Sequence, residues 1–268
     1  QSRRFQNGMP PYQTWREGEE FARADTGDDF DDKFDAVIMI EEVDFAPDGS
    51  IAFISDDITV QPGDNVHPAG SSVVKDQYIL GKDLPIRPMD MAALAMAGCY
   101  MVPVRKKPRV AFIPTGTELI APQMTPTRGE NVDTNSLLLE ASLRELGAEP
   151  LVFPIIRDHK AMLERALDDA LACADIVIIN GGTAKGEEDF NTALIARKGE
   201  LLHHYVSAAP GRPMAAGITG GKPVINLPGP TMAAFFGVEW CIAPMVCRAL
   251  HLPAPERQTV TCTLAEDI

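Results

Sequence analysis

The spacing of apolar positions changes character near residue 108. Before it, apolar residues come in short extended runs, "FDAVIMIEEVDF", "SIAFIS" and "DITV", separated by the turn chemistry of "PDG" and "PGDN". This predicts a small β-rich domain over 1–65. A linking segment over 66–107 follows, containing the small-residue helix "DMAALAMAGCY" with Gly98 near its end. Beyond it, buried strand patterns alternate with amphipathic helical ones. "RVAFIP", "PLVFPII" and "DIVIIN" read as strands, and "LLHHYV", "PMAAGI" and "PVINL" supply more. "DTNSLLLEASLRELG" opens with cap residues and stops at Gly147. "DHKAMLERALDDALACA" places Leu163, Leu167 and Leu171 on one face behind an Asp158 cap. One helix ends near Gly199, and "TMAAFFGVEWCIAPMVCRAL" forms a last one whose methionines and phenylalanines read as core. Short connections between alternating elements predict a central α/β three-layer domain over 108–253, its sheet mostly parallel, within an α+β multidomain chain.

In such sheets ligands bind at the carboxyl ends of the strands, where the strand order reverses. The loops leaving those ends are "PTGTEL" (114–119), "IRD" (156–158), "NGGTAKGEEDF" (180–190) and "NLPGP" (226–230). On a shared rim, Glu118, Asp158 and Asp189 would surround a pocket floored by Gly181, Gly182 and Thr183. Helix N-termini behind the loops favour a phosphate, and carboxylates beside a phosphate call for a hard cation such as Mg²⁺. Each loop also has a plainer reading. The glycine loop can be a polar turn, and Asp158, Asp189, Asp133 and Thr134 can be helix caps. Glu118 caps nothing obvious.

Charge and cysteine usage narrow the classes. The net charge is −14, and twelve acids face only Arg23 and Lys33 between Glu17 and Asp44. No basic footprint suits nucleic acid or an anionic membrane, and Glu239 and Pro244 interrupt the one long apolar run. "GDDFDDKFD" lacks the spacing of a calcium loop, and the adjacent His203 and His204 of a strand point to opposite faces. Five widely spaced cysteines without Cys-x-x-Cys read as small buried hydrophobes in a cytoplasmic protein. The first residue is Gln1, which reads as a fragment of a longer protein.

"TGTEL", "DTN", "IIRD", "NGGTAKGEEDF", "APGRP" and "LPG" occur in the order and spacing of the molybdopterin-binding fold. Together they resemble the molybdopterin molybdenumtransferase family, related to the E domain of gephyrin. "RADTGDDFDDKFDAVIMIEEV" is similar to its small β domain, "PGDNVHPAGSSV" to the segment linking back, and 254–268 to the start of a truncated C-terminal β domain. The resemblance implies metal-dependent cleavage of adenylylated molybdopterin with insertion of molybdate, using Mg²⁺, in a homodimer. Carried over by position, it implies metal and catalytic roles for Glu118, Asp158 and Asp189. It implies ligand contacts from Thr115, Gly116, Asp133, Thr134, Gly181, Gly182, Thr183, Gly186, Arg212, Pro228 and Gly229. Departures stand beside it: Gly70-Ser71-Ser72 where the family reads Gly-Glu-Asp, Ala209 for its lysine, and Pro230-Thr231 after Leu227-Pro228-Gly229. A non-catalytic molybdopterin-binding scaffold and a molybdopterin adenylyltransferase are the rival readings.

Overall fold

The computed structural model describes residues 15, 17–45, 47–48, 51–54, 58–157, 159–181, 190–256 and 259–263. Contacts divide the chain into two compact units, 1–80 with 87–100 and 81–86 with 101–268.

In the first unit β1 (Val43–Phe45) pairs antiparallel with β2 (Ile51–Phe53), Asp44 opposite Ala52. The long run expected from "FDAVIMIEEVDF" is a strand only at its last three residues. Upstream, its backbone bonds a turn instead of a ladder: Val37 N–H donates to the Asp64 carbonyl (2.9 Å), and Gly63 N–H to that of Asp35 (2.7 Å). The expected strand at "DITV" is absent over 58–60, and Asp57 lies outside the described residues. Helix α1 (Pro88–Met96) starts with proline in its first turn, and Arg87 N–H donates to the Asp90 carboxylate (2.8 Å). None of its residues is buried.

The second unit is built on six strands. They are β3 (Arg109–Pro114), β6 (Glu149–Val152), β7 (Ile176–Asn180), β8 (Glu200–His204), β9 (Ala215–Thr219) and β10 (Lys222–Leu227), in the order β6-β3-β7-β10-β9-β8. The first four are parallel; β9 and β8 each run antiparallel to the preceding neighbour. Side chains that alternate along the strands feed two cores. Val110, Phe112, Ile178, Ile225 and Leu227 face one layer of helices, α2 (Thr134–Glu145) and the C-terminal helical run. Ala111, Ile113, Val177, Ile179 and Val224 face the other, α3 (Lys160–Cys173) and α4 (Phe190–Lys198). Leu163 and Leu167 of α3 are buried there, with Leu171 packed beside them. A short parallel pair, β4 (Leu119–Ile120) and β5 (Asn131–Val132), stands apart from this sheet.

Three elements depart locally from expectation. The expected strand "PLVFPII" breaks at Pro154, which has no N–H to give; pairing resumes where Ile156 N–H donates to the Pro114 carbonyl (2.8 Å). The N-cap position of α3 is His159, not the expected Asp158, which lies outside the described residues. The last helix comprises α5 (Thr231–Gly237), a π-helical turn (Val238–Ile242) and α6 (Ala243–Leu250).

That run is long and apolar enough to cross a membrane by length and composition. Its Ala234, Val238, Ile242 and Val246 pack into the first core. Four-residue steps overshoot an α turn of about 3.6 residues, and the wider π turn brings the stripe back towards the sheet. An alanine and three β-branched residues carry this contact, while Met232 and Phe235, expected in the core, remain exposed. Of the five cysteines only Cys247 is buried; Cys173 and Cys241 are half-buried, and Cys99 and Cys262 are exposed.

Candidate functional site

The chain leaves β3 outward to β6 and returns to β7 on the other side, so the strand order reverses between β3 and β7. There, beyond the carboxyl ends, a cavity of about 840 Å³ opens. It brings together Thr115, Gly116, Glu118, Asp133, Thr134, Gly181 and Gly229 among the expected residues.

Close approach dictates the glycines. Gly181 adopts φ +116°, and a Cβ there would stand 2.6 Å from Thr115 Oγ1 and collide with the Thr115 carbonyl. A side chain would drive β7 away from β3. Beside Gly116 the space is taken by the Glu118 carboxylate, whose Oε2 would be 2.8 Å from an added Cβ. Glu118 thus bends back over the end of β3 and lines the cavity.

Neutral amides fix the floor. Asn180, 2% exposed, donates through Nδ2 to the carbonyls of Leu227 (3.2 Å) and Pro228 (2.7 Å). Those two acceptors orient its amide, so Asn180 Oδ1 faces Asn135 and accepts from Asn135 Nδ2 at 2.8 Å. Asn135 Nδ2 also donates to the Gly229 carbonyl (2.7 Å). Asn191 Nδ2 donates to the Gly181 carbonyl (2.8 Å) and to Asn226 Oδ1 (3.0 Å). Thr115 donates to the Asn180 carbonyl from both N (2.8 Å) and Oγ1 (2.9 Å). The hydroxyls of Thr134 and Thr231 meet at 3.0 Å across the starts of α2 and α5.

Charge sits on the rim. Among the described residues, the acidic and basic side chains lining the cavity are Glu118, Asp133, Arg157, His159 and Lys160. Asp133 is committed, because its carboxylate caps α2 by accepting from Ser136 N (3.0 Å) and Ser136 Oγ. Residues at the start of α2, α3, α4 and α5 all line the cavity, and none of these helices carries an acid in its first turn. Their N-terminal dipoles therefore favour an anion there. Lys160 Nζ lies 5.1 Å from the centre of the Phe190 ring. Nearby, hydrogen bonds from the Thr127 hydroxyl and N–H hold the Glu130 carboxyl below its ordinary range, with Arg157 adding to the effect.

The remaining expected residues fall elsewhere. The Pro228 carbonyl is held by Asn180, and the residue is not among those lining the cavity. Arg212 lines a separate depression of about 450 Å³ with Tyr205 and Ser207. Asp158, Gly182, Thr183, Gly186 and Asp189 lie outside the described residues. Sequence reasoning gave no role to Asn135, Asn180, Asn191, Arg157, His159, Lys160 or Thr231. A polar residue ending an apolar strand, as in "DIVIIN", was the available signal.

The fold and this cavity define a three-layer α/β domain with an open pocket at its switch point. Residues 111–248 match the family described as "Probable molybdopterin binding domain", and residues 2–98 match "MoeA N-terminal region (domain I and II)". The chain belongs to the molybdopterin molybdenumtransferase family. It is 28% identical over 238 residues to "Molybdopterin molybdenumtransferase" of Haemophilus influenzae, covering 89% of this chain and 58% of that protein. It is 30% identical over 247 residues to "Putative molybdopterin biosynthesis protein MJ0666" of Methanocaldococcus jannaschii, covering 89% and 61%. Among solved structures, the molybdopterin biosynthesis MoeA protein of Pyrococcus horikoshii matches with a TM-score of 0.64 at 30% identity, covering 81% of this chain and 53% of that one. The chain thus spans somewhat over half the length of these relatives.

Proposed function

We propose that this chain acts in molybdenum cofactor biosynthesis as a transferase, cleaving adenylylated molybdopterin and inserting molybdate. The observation that carries the reading is the cavity at the β3–β7 switch point, where Glu118 shares the lining with the starts of α2, α3, α4 and α5 above a floor of neutral amides. Cleavage adds one water across the P–O–P linkage, leaving a phosphomonoester on the pterin and releasing AMP. On insertion the two dithiolene sulfurs replace two molybdate oxygens, which leave as water with the thiol protons and two from solvent. Backbone N–H groups at the helix starts receive the phosphate charge. Thr134 and Thr231 offer hydroxyls to the ligand, and the amide ladder keeps Gly181 and Gly229 in place.

Mg²⁺ binds through one or two carboxylates and completes its shell with substrate phosphate and water. Glu118 fits that role. Among the described residues no cluster of three or more His, Cys, Asp or Glu side chains is suited to hold a metal, so the pyrophosphate itself would supply ligands. When bound, the ion would neutralise phosphate charge and polarise the bond that breaks. Asp158 and Asp189 remain part of the proposed set, with Gly182, Thr183, Gly186, Arg212 and Pro228 on the ligand side. We place the protein in the cytoplasm, which suits five free cysteines, and expect a homodimer.

The test is AMP release from adenylylated molybdopterin, with and without Mg²⁺ and molybdate. Metal-dependent, molybdate-stimulated release is expected, and Glu118→Gln should abolish it without changing the melting temperature. The departure at Gly70-Ser71-Ser72 favours a second reading, a module that binds molybdopterin without turnover. Tight binding with no release under any condition would select it.

A further inference from the structure

The Glu118 carboxylate lies against Gly116, two residues back along the same turn. A Cβ added to Gly116 would stand 2.8 Å from Oε2, 2.9 Å from Oε1 and 3.0 Å from the carboxyl carbon of Glu118. Turning the carboxylate about its last bond leaves that carbon in the way, so the whole group would have to shift. The backbone on either side is held in place. Gly116 N–H donates to the Ile156 carbonyl (3.0 Å), and Thr115 N–H, just before it, to that of Asn180 (2.8 Å). The Glu118 carbonyl accepts from Asn131 N–H (2.8 Å), and that of Ile120 from Asp133 N–H (2.9 Å). The turn is therefore tied to β7, to the chain after β6 and to β5, and the Glu118 side chain is its yielding part. Both residues line the cavity, Gly116 buried and Glu118 exposed.

We propose that Gly116 is a positioning residue, reserving the space from which the Glu118 carboxylate holds a metal ion. This rests on the metal role of Glu118 proposed above, and differs from the direct ligand contact that the resemblance implies for the glycine. Among the described residues no hydrogen bond or ion pair anchors that carboxylate, so the room beside Gly116 decides where it stands. A methyl group packs at about 3.5–4.0 Å from its neighbours, so alanine at 116 would drive the carboxylate out by more than about 0.5 Å. The fold gives up little, because the displaced atoms end a flexible side chain. A metal–oxygen bond tolerates only about 0.2 Å. The ion would lose this ligand, or follow it away from the rest of its shell, in which Asp158 and Asp189 are proposed.

The experiment titrates Mn²⁺, a spectroscopic substitute for Mg²⁺, into the chain with excess AMP and follows the free ion by electron paramagnetic resonance. Wild type is compared with Gly116→Ala, Glu118→Gln and the double variant, each checked by urea unfolding. Gly116→Ala should weaken Mn²⁺ binding about tenfold to a hundredfold, the range for losing a group that orients a metal ligand. Glu118→Gln should weaken it at least as much. The double variant should be no weaker than Glu118→Gln alone, because the glycine acts only through the carboxylate. A glycine that touched the ligand directly, or only supported the fold, would add its own loss. An additive loss, or wild-type affinity in Gly116→Ala, overturns the positioning role. Gly116 has φ +157°, so alanine also strains the backbone, and Glu118→Asp supplies a second measure. One methylene shorter, it keeps the charge without reaching back over the glycine, so it should lose Mn²⁺ as Gly116→Ala does. Undiminished affinity in Glu118→Asp overturns the proposal even where Gly116→Ala does not fold. A wild type that holds no Mn²⁺, or holds it no better than Glu118→Gln, refutes the metal role of Glu118 itself, a result distinct from failure at Gly116 alone.

Discussion

Replacing Asn180 tests whether the amide ladder holds the site together. The side chain is 2% exposed and makes three hydrogen bonds, accepting from Asn135 and donating to the Leu227 and Pro228 carbonyls. Asn180→Ala removes all three, with unequal consequences. Leu227 still accepts from Gly181 N–H (2.9 Å), and Asn135 still donates to Gly229 (2.7 Å). Those two losses cost about 1 kcal/mol each, whereas the Pro228 carbonyl loses its amide partner and adds about 1–3 kcal/mol. The expected total is about 3–5 kcal/mol. For a unit of this size that lowers the melting temperature by about 6–20 °C. Asn180→Asp has nearly the same shape but points an oxygen at both carbonyls. A carboxylate there is penalised by burial, which raises its folded pKa above the unfolded value. Stability is then greatest below the unfolded pKa and is lost as pH rises through the folded one, so the deficit should shrink in acid. Urea unfolding at several pH values measures both effects. An alanine variant within about 1 kcal/mol of wild type, with an unchanged m-value, would refute the reasoning.

Other perturbations follow from the same geometry. Gly181→Ala meets both the Thr115 backbone and an unfavourable φ of +116°, so it should cost more than about 2 kcal/mol by chemical denaturation; a neutral result would mean β7 can move away freely. Asp133→Ala removes the α2 cap and should lose about 0.5–2 kcal/mol, with Asp133→Ser recovering most of it in the same assay. Hydrogen bonding to Asp168 holds Lys198 above its ordinary pKa, so this stabilisation is present below the ordinary lysine range and fades as pH rises past the folded value. Asp168→Asn should therefore cost under about 1 kcal/mol at neutral pH and nothing once Lys198 is neutral, as read from melting in buffers of rising pH.

What the sequence made legible follows from burial. Strands β3, β7 and β10 announce themselves because both faces are covered, so apolar residues run almost unbroken through "RVAFIP", "DIVIIN" and "PVINL". Helices α2 and α3 were legible from their leucine spacing. The small N-terminal β domain was legible but its strand bounds were not, since "FDAVIMIEEVDF" has strand composition but spends most of its backbone bonds on the turn around Asp64. Motif order located the rim at Thr115, Gly116, Glu118 and Gly181. It could not separate Arg212, placed in another depression, from Arg157 and Lys160, because register along a chain carries no information about which loop leans into the cavity. Asparagines were missed for a related reason. A buried carboxamide that bonds three segments looks, in sequence, like any polar residue at a strand end.

The choice of amide over acid at these positions has a consequence for binding. Three segments meet at the floor, and two of them, the ends of β7 and β10, offer carbonyls that need donors. An ion pair could bridge them, but burying it would cost several kcal/mol of desolvation. A carboxylate there would also repel the phosphate that the helix starts attract. An asparagine supplies donor and acceptor together with no net charge, so the floor is rigid and electrostatically silent while all charge stays on the rim. Asn135 tests this separation, being 6% exposed and within the cavity lining. Asn135→Asp preserves shape, whereas Asn135→Ala removes the amide altogether. If rigidity alone mattered, the aspartate variant would bind AMP at least as well as the alanine one. If silence matters as argued, aspartate is the worse of the two, its deficit in AMP affinity growing as ionic strength is lowered. Calorimetry at two salt concentrations decides between them, and equal or better binding by Asn135→Asp would show that the floor contributes shape and no electrostatics.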